Sequence, residues 1–234
     1  MKKYIKIAII VSIVLVIAIG AVGFHFINKM INPEVIVHGT GEQKVLCIGD
    51  SITFGQGVLM NREKEGFPAF LAEKLGNEYQ VFNYGLCNRT LASTSDLPYP
   101  KEAFAKASLE QDADIIIIML GTNDSKPDFW DAEKYEKEYI AFVESYQNMS
   151  SKPEVYVMLP PQIVKDPEDN GDCSNEILTK EVIPAIKRVA EATGAKEIDL
   201  YSATEGHEDW YADGLHPNAE GNKAIAEVIA EAIR

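Results

Sequence analysis

A hydroxyl, an imidazole and a carboxylate stand in two short stretches of this sequence, and together they could carry acyl transfer. Gly49-Asp50-Ser51-Ile52-Thr53 follows the apolar run Lys44-Val45-Leu46-Cys47-Ile48. A serine on a turn at the end of a buried strand can present its hydroxyl to a cleft above the sheet. This is not the Gly-x-Ser-x-Gly elbow of α/β-hydrolases, because Thr53 stands two residues after Ser51. Gly, Asp and Ser are also ordinary turn residues, so the pentapeptide needs a partner. The chain has four histidines. His25 lies in the apolar N-terminal run and His38 in the linker that follows, both remote by position. His207 is flanked by Glu205, Glu208 and Asp209, with no turn to close a carboxylate onto it. His216 belongs to Asp213-Gly214-Leu215-His216-Pro217. A spacing of three within one turn lets the Asp213 carboxylate reach the imidazole Nδ1–H. That contact fixes the tautomer and leaves Nε2 to accept the serine proton. The expected set is therefore Ser51 as nucleophile, His216 as base and Asp213 as its orienter.

Those residues need elements to hold them. From Lys44 onward, apolar runs alternate with amphipathic stretches. Candidate strands are 44–48, 80–84, 114–120, 155–159 and 196–200. The third is apolar on both faces, as a central parallel strand should be. Phe67, Phe70, Leu71 and Leu75 share one helical face, with Pro68 at its start and Gly76 at its stop. Tyr135, Tyr139, Phe142, Val143 and Tyr146 form a second stripe, and Leu178, Val182, Ala185, Ile186 and Val189 a third. Pro184 falls inside the third and should kink or divide it. Asn218 is placed to cap a last helix through Ile225, Ile229 and Ile233. This alternation predicts an α/β fold with a five-stranded parallel sheet covered by helices on both faces.

Acyl transfer also needs donors aimed at a developing oxyanion. Gly85, at the end of the second strand, can bring its backbone N–H close because no Cβ intervenes. Asn123, in Gly121-Thr122-Asn123-Asp124 after the third strand, carries an amide donor. With the Ser51 N–H this makes three. Asp50 and Asp124 are expected to brace turns by Asx-type hydrogen bonds. All of these residues follow the carboxyl ends of candidate strands, which converge on one crevice in an open parallel sheet. Randomly scattered turn residues have no reason to do so.

With these residues in place, the chain from Lys44 to Arg234 resembles the SGNH (GDSL-type) hydrolases. Its Gly49-Asp50-Ser51, Gly85, Gly121-Thr122-Asn123-Asp124 and Asp213-Gly214-Leu215-His216-Pro217 stand in the family's block order. The resemblance implies a flavodoxin-like three-layer α/β/α sandwich. It also implies Ser51, His216 and Asp213 as the catalytic residues, an oxyanion hole of Ser51, Gly85 and Asn123, and no metal or cofactor. Leu86 and Cys87 are bulkier than the small residue many relatives carry after the glycine. The stretch from Gly121 through Pro127 to Trp130 is similar to the carbohydrate or sialate O-acetylesterase branch.

The N-terminus has a different character. Met1–Lys6 is basic, and Ile7 to Ile27 carries no formal charge. As a helix, a run of that length spans about 31 Å, close to the hydrocarbon thickness of a bilayer. With Lys2, Lys3 and Lys6 before it, it is expected to be a single-pass anchor with the remainder outside the cell. Its length fits an uncleaved anchor better than a cleaved signal peptide, which would instead release a secreted protein. Asn28–Gln43, with Pro33, Gly39 and Gly41, is expected to be a tether, and 44–234 the catalytic domain. Four of the 22 basic residues and none of the 36 acidic ones lie in the first 30, leaving the remainder at a formal charge of −18. Such a surface repels nucleic acid. Three cysteines (Cys47, Cys87, Cys173) make no disulfide framework, and no metal-type Cys/His spacing occurs.

The predicted activity is hydrolysis of short acyl esters, O-acetyl groups on a carbohydrate foremost. Trp130 and Trp210 could offer flat apolar faces to a sugar, the alternative being that they pack under loops. A lysophospholipase- or thioesterase-type acylhydrolase is the rival within the family. From other classes come a metal-dependent phosphoesterase built on Asp50, Asn123, Asp124, His207, Asp209, Asp213 and His216, and a non-catalytic surface glycan-binding module. The sequence carries no signal for oligomeric state.

Overall fold

The computed structural model describes residues 33–165 and 172–234, together with Val14, Val16, Gly20, Gly23 and Phe24. The chain divides into two compact units, Met1–Glu34 and Val35–Arg234. Among the described residues no helix is long and apolar enough to cross a membrane. The predicted span from Ile7 to Ile27 lies almost wholly outside the described residues. Of it only the five named residues are seen, in helical conformation.

In the second unit, the five predicted apolar runs are strands β2 (Gln43–Gly49), β3 (Tyr79–Gly85), β4 (Ile115–Met119), β5 (Glu154–Leu159) and β6 (Lys196–Asp199). They are mutually parallel, in the order β3-β2-β4-β5-β6. The expected five-stranded sheet is corrected to six strands. β1 (Ile36–Gly39) adds to the β3 edge and runs antiparallel to it. It comes from the stretch predicted to be a tether. Only four residues long, with Val37 and Gly39 exposed between half-buried Ile36 and His38, it has the half-polar alternation of an edge strand. Of the residues that suggested a linker, Gly39, with φ +76°, ends the strand, and Gly41 lies in the short connection to β2.

Alternate residues of the sheet feed two separate cores. Leu46, Ile48, Ile116 and Ile118 face α4 (Ala132–Gln147) and α5 (Ile183–Thr193), where they meet Tyr135, Tyr139, Phe142, Tyr146, Ile186 and Val189. The short α3 (Ala103–Leu109) lies on the same side. Val45, Cys47, Ile115, Ile117 and Met119 face the opposite layer, α2 (Phe67–Leu75) and α6 (Ala219–Ile233), through Phe67, Leu71, Ile225 and Ile229. This is the predicted three-layer α/β/α arrangement. Pro184 divides its helix as expected: the turn before it, Leu178–Val182, is π-helical, because proline has no N–H for the carbonyl of Lys180. All three cysteines are free and buried.

One buried amide ties the α2–α6 layer to the His216 loop. Asn222 accepts from Phe67 N–H, an orphan donor at the start of α2, at 2.9 Å and donates to Pro217 O at 2.7 Å. Asn222→Ala would leave a buried donor and a buried acceptor unpaired. It is expected to cost roughly 2–3 kcal/mol, read as a lower urea midpoint with unchanged slope. A loss below about 0.5 kcal/mol, the scale of an ordinary surface substitution, would show that the amide does not hold these elements.

Candidate functional site

Ser51 opens α1 (Ser51–Phe54), a helix of four residues at the carboxyl end of β2. So short a helix cannot hold itself by its own ladder, and both its ends are tied. At the start, Asp50 Oδ1 accepts from Ile52 N–H at 2.9 Å. At the end, Arg62 Nε donates to Phe54 O at 2.9 Å, with its guanidinium carbon 3.6 Å over the Phe54 ring. Behind the helix, Gly85 comes so close that a Cβ there would lie 2.1 Å from Phe54 N.

His216 arrives from the other end of the sequence. The segment after α1 runs directly against the His216–Pro217 backbone, where a Cβ on Gly57 would lie 2.2 Å from Pro217 O. Ser51 Oγ and His216 Nε2 stand 2.8 Å apart, and His216 Nδ1 is 2.7 Å from Asp213 Oδ2. Asp213 Oδ1 accepts from His216 N–H at 2.8 Å and Leu215 N–H at 3.0 Å. Gly214, with φ +84°, closes the turn. Burial by itself would raise the Asp213 carboxyl. The His216 ring and the two backbone N–H groups outweigh it and hold the carboxyl well below the usual carboxylate range. An ionised carboxylate only accepts hydrogen bonds, so the imidazole proton sits on Nδ1 and Nε2 is left to accept from Ser51 Oγ–H. The three predicted residues thus form one hydrogen-bonded chain that can make the serine oxygen nucleophilic.

The donors are arranged differently from the expectation. Asn123 is buried beside the serine helix; its amide donates to Arg89 O at 3.1 Å and lies 3.5 Å from Asp50 Oδ2. The Gly85 N–H is committed to Asn83 Oδ1 at 2.9 Å. Gly85 stands here as the close-approach residue behind α1, with its N–H bonded to Asn83. The loop that follows carries Asn88 at its vertex in left-handed conformation, φ +64°. That vertex is fixed from both sides, by Arg89 Nη1 to Cys87 O at 2.8 Å and by Asn123 to Arg89 O.

Asp50 braces its own turn as expected, but Asp124 braces a different one. Fully buried, Asp124 accepts from Leu91 N–H and Ala92 N–H, each at 2.9 Å. It thereby ties the β3 loop to the end of β4. No sequence signal could name that partner, because both N–H groups belong to backbone. Burial pushes Asp124 up to about 7, against the pull of the two N–H groups, with the Asp50 charge adding to the rise. Burial pushes Asp50 up to about 6, opposed by Ile52 N–H, the His216 charge and Thr122.

Both tryptophans have aromatic packing partners within the fold. The Trp130 ring lies 5.2 Å from Tyr135 and packs against the α4-side core. Trp210 stacks on His207, centroids 3.9 Å apart and nearly parallel, so His207 serves that stack. Among the described residues no group of three or more His, Cys, Asp or Glu side chains comes together as a metal cage. An apolar cavity of about 380 Å³ lies elsewhere, between Leu91–Lys101 and α4, and contains none of Ser51, Asp213 or His216.

The buried carboxylates give a pH dependence of stability. Burial lets folded Asp50 and Asp124 hold their protons up to about pH 6 and pH 7, above the ordinary aspartate value of 3.8. Between that value and their folded values the native state binds more protons than the unfolded chain, so their contribution falls as pH rises. Melting temperature should drop from pH 5 to pH 8, and Asp124→Asn should flatten the drop. An equal slope in the variant would show that Asp124 does not titrate in that range.

The chain matches the GDSL-like lipase/acylhydrolase family over residues 47–224. It is 32% identical over 207 residues to an acetylxylan esterase of Xylanibacter ruminicola, an alignment covering 82% of this chain but only 43% of that protein. Among solved structures it is similar to a carbohydrate acetylesterase from Sinorhizobium meliloti, with 24% identity, TM-score 0.68, and 82% of this chain and 98% of that one covered. It also resembles an acetylxylan esterase from Geobacillus stearothermophilus, with 20% identity, TM-score 0.64, and 82% and 94% covered. These structural likenesses bear on the fold. The block order, the six-stranded sheet and the match across most of its length place this chain in the GDSL-like lipase/acylhydrolase family.

Proposed function

We propose that this protein is a serine carboxylic ester hydrolase that removes short acyl groups, acetyl foremost, from carbohydrate. The observation that carries the reading is the 2.8 Å approach of Ser51 Oγ to a His216 ring whose other nitrogen is held by Asp213. His216 Nε2 takes the Ser51 proton as the oxygen attacks the ester carbonyl. It then gives that proton to the departing sugar oxygen, leaving an acyl-serine. Water, deprotonated by the same nitrogen, attacks the acyl-enzyme and releases the carboxylic acid and Ser51. In this reading Ser51 N–H and the Asn123 amide stabilise the oxyanion, the amide exchanging its bond to Arg89 O for one to the substrate.

Acetylated carbohydrate as the substrate rests on the acetylxylan esterase relative. The chain spans 43% of that protein's length. The basic end and apolar run of the first 27 residues support an N-terminal membrane anchor with the esterase domain outside the cell. Protease added to intact cells should then cleave the domain, and a domain protected until lysis would reverse that orientation.

Turnover of aryl acetate should exceed that of the butyrate and longer esters, and acetylated xylan should release acetate. Ser51→Ala should reduce both to background. Asn123→Ala should lower kcat by about 10²–10³, and a loss below tenfold would remove Asn123 from the oxyanion role. Preference for long acyl chains would favour a lipid or thioester substrate instead.

A further inference from the structure

The turn carrying Asp213 and His216 is exposed on its outer side: the Asp213 side chain keeps 54% of its accessibility. Something must prevent so open a carboxylate from exchanging its imidazole partner for water. The segment leaving β5 lies against this turn. Gln162 N–H donates to Thr204 Oγ1 at 3.2 Å and its side-chain amide to Thr204 O at 2.7 Å. Ile163 N–H donates to Asn175 Oδ1 at 3.2 Å. Fixed on both flanks, the segment then lies along the catalytic turn. Val164 N–H donates to Gly214 O at 2.9 Å, and Lys165 Nζ to Ala212 O at 2.8 Å.

Between those two bonds the Lys165 stem crosses the turn. A Cβ added at Gly214 would lie 2.4–2.6 Å from Lys165 Cβ, Cγ and Cδ, so the stem occupies the space a side chain would take. Lysine is suited to this position. Its methylenes cover buried backbone while the ammonium stays at the surface and donates to a carbonyl. The carbonyls of Ala212 and Gly214, one on each side of Asp213, are thus both held by consecutive residues of one strap.

We propose that Lys165 is a positioning residue: it clamps the Ala212–Gly214 backbone so that the Asp213 carboxylate stays on His216 Nδ1. The proposal rests on the esterase reading for its kinetic consequence, but the clamp itself has an independent spectroscopic signature. A 2.7 Å hydrogen bond between Nδ1–H and a carboxylate shifts that proton far downfield and slows its exchange with water. In the full chain, Lys165→Ala should lower kcat on aryl acetate about tenfold with KM within twofold. It should also broaden or move the downfield Nδ1–H resonance upfield, with little change in melting temperature. Lys165→Met, which keeps the stem and loses the donor, should fall between Lys165→Ala and the parent protein in both readouts. The resonance is assigned by its loss in His216→Gln.

An unchanged resonance together with kcat within twofold in Lys165→Ala would overturn the proposal. So would a loss of kcat that tracks a lost fold while the resonance of the remaining folded protein stays in place. Ser51→Ala separates the two readings. If it retains turnover, the esterase assignment fails, while the resonance still reports on the clamp.

Discussion

Four helical residues cannot fix a serine by their own hydrogen bonds, because nucleation costs more than one turn returns. The position of Ser51 therefore depends on what is attached to the ends of α1. Asp50 satisfies its amino end, Arg62 its carboxyl end, and Gly85 lets β3 press against its back. The same logic applies to the His216 turn. There Asp213 takes three hydrogen bonds within the turn, and Asn222, from α6, holds Pro217. Both halves of the site are short motifs made rigid from outside by residues whose own elements belong to the cores.

The three carboxylates near the serine divide by environment. Asp213 is half exposed, receives donors on both oxygens and is held ionised, as a partner for an imidazolium must be. Asp50 and Asp124 are shut away from water, and burial drives both upward. Asp50 pairs Ile52 N–H at the start of α1 and Asp124 the N–H groups of Leu91 and Ala92, donors that would otherwise be unpaired, which makes both builders of the crevice. A metal-centred reading of the same acids is unattractive for this reason: each carboxylate already has its hydrogen-bond partners within the fold.

Much of this was legible in the residues. The central parallel strands β2, β4 and β5 announced themselves as apolar runs, and the residues after the strands had to meet at one end of the sheet. The Asp213–His216 contact followed from a spacing of three within a turn closed by glycine. β1 was not legible, since four half-exposed residues between glycines and a proline look the same in a linker as on a sheet edge. Gly85 shows a different limit. Its type announces a close approach but not which atom comes close, and here α1 approaches while the N–H turns to Asn83. Trp130 illustrates a third, because an indole's neighbours are chosen by tertiary packing: Tyr135 claims it. Neither the reach of Asp124 to Leu91 and Ala92 nor that of Lys165 across Gly214 leaves any mark in local pattern.

The cysteines, unremarked by the chemistry, bear on where such a domain can work. All three are unpaired and buried, and burial pushes Cys87 and Cys173 up to about 12 and Cys47 higher still. Oxidants and disulfide exchange act through the thiolate, and at neutral pH these side chains supply almost none. The folded domain therefore keeps its thiols in an oxidising medium as readily as in a reducing one. Its maturation calls for no bridge-forming catalyst, and the unfolded chain, with the same sulfurs exposed, is the only form that such a medium would trap.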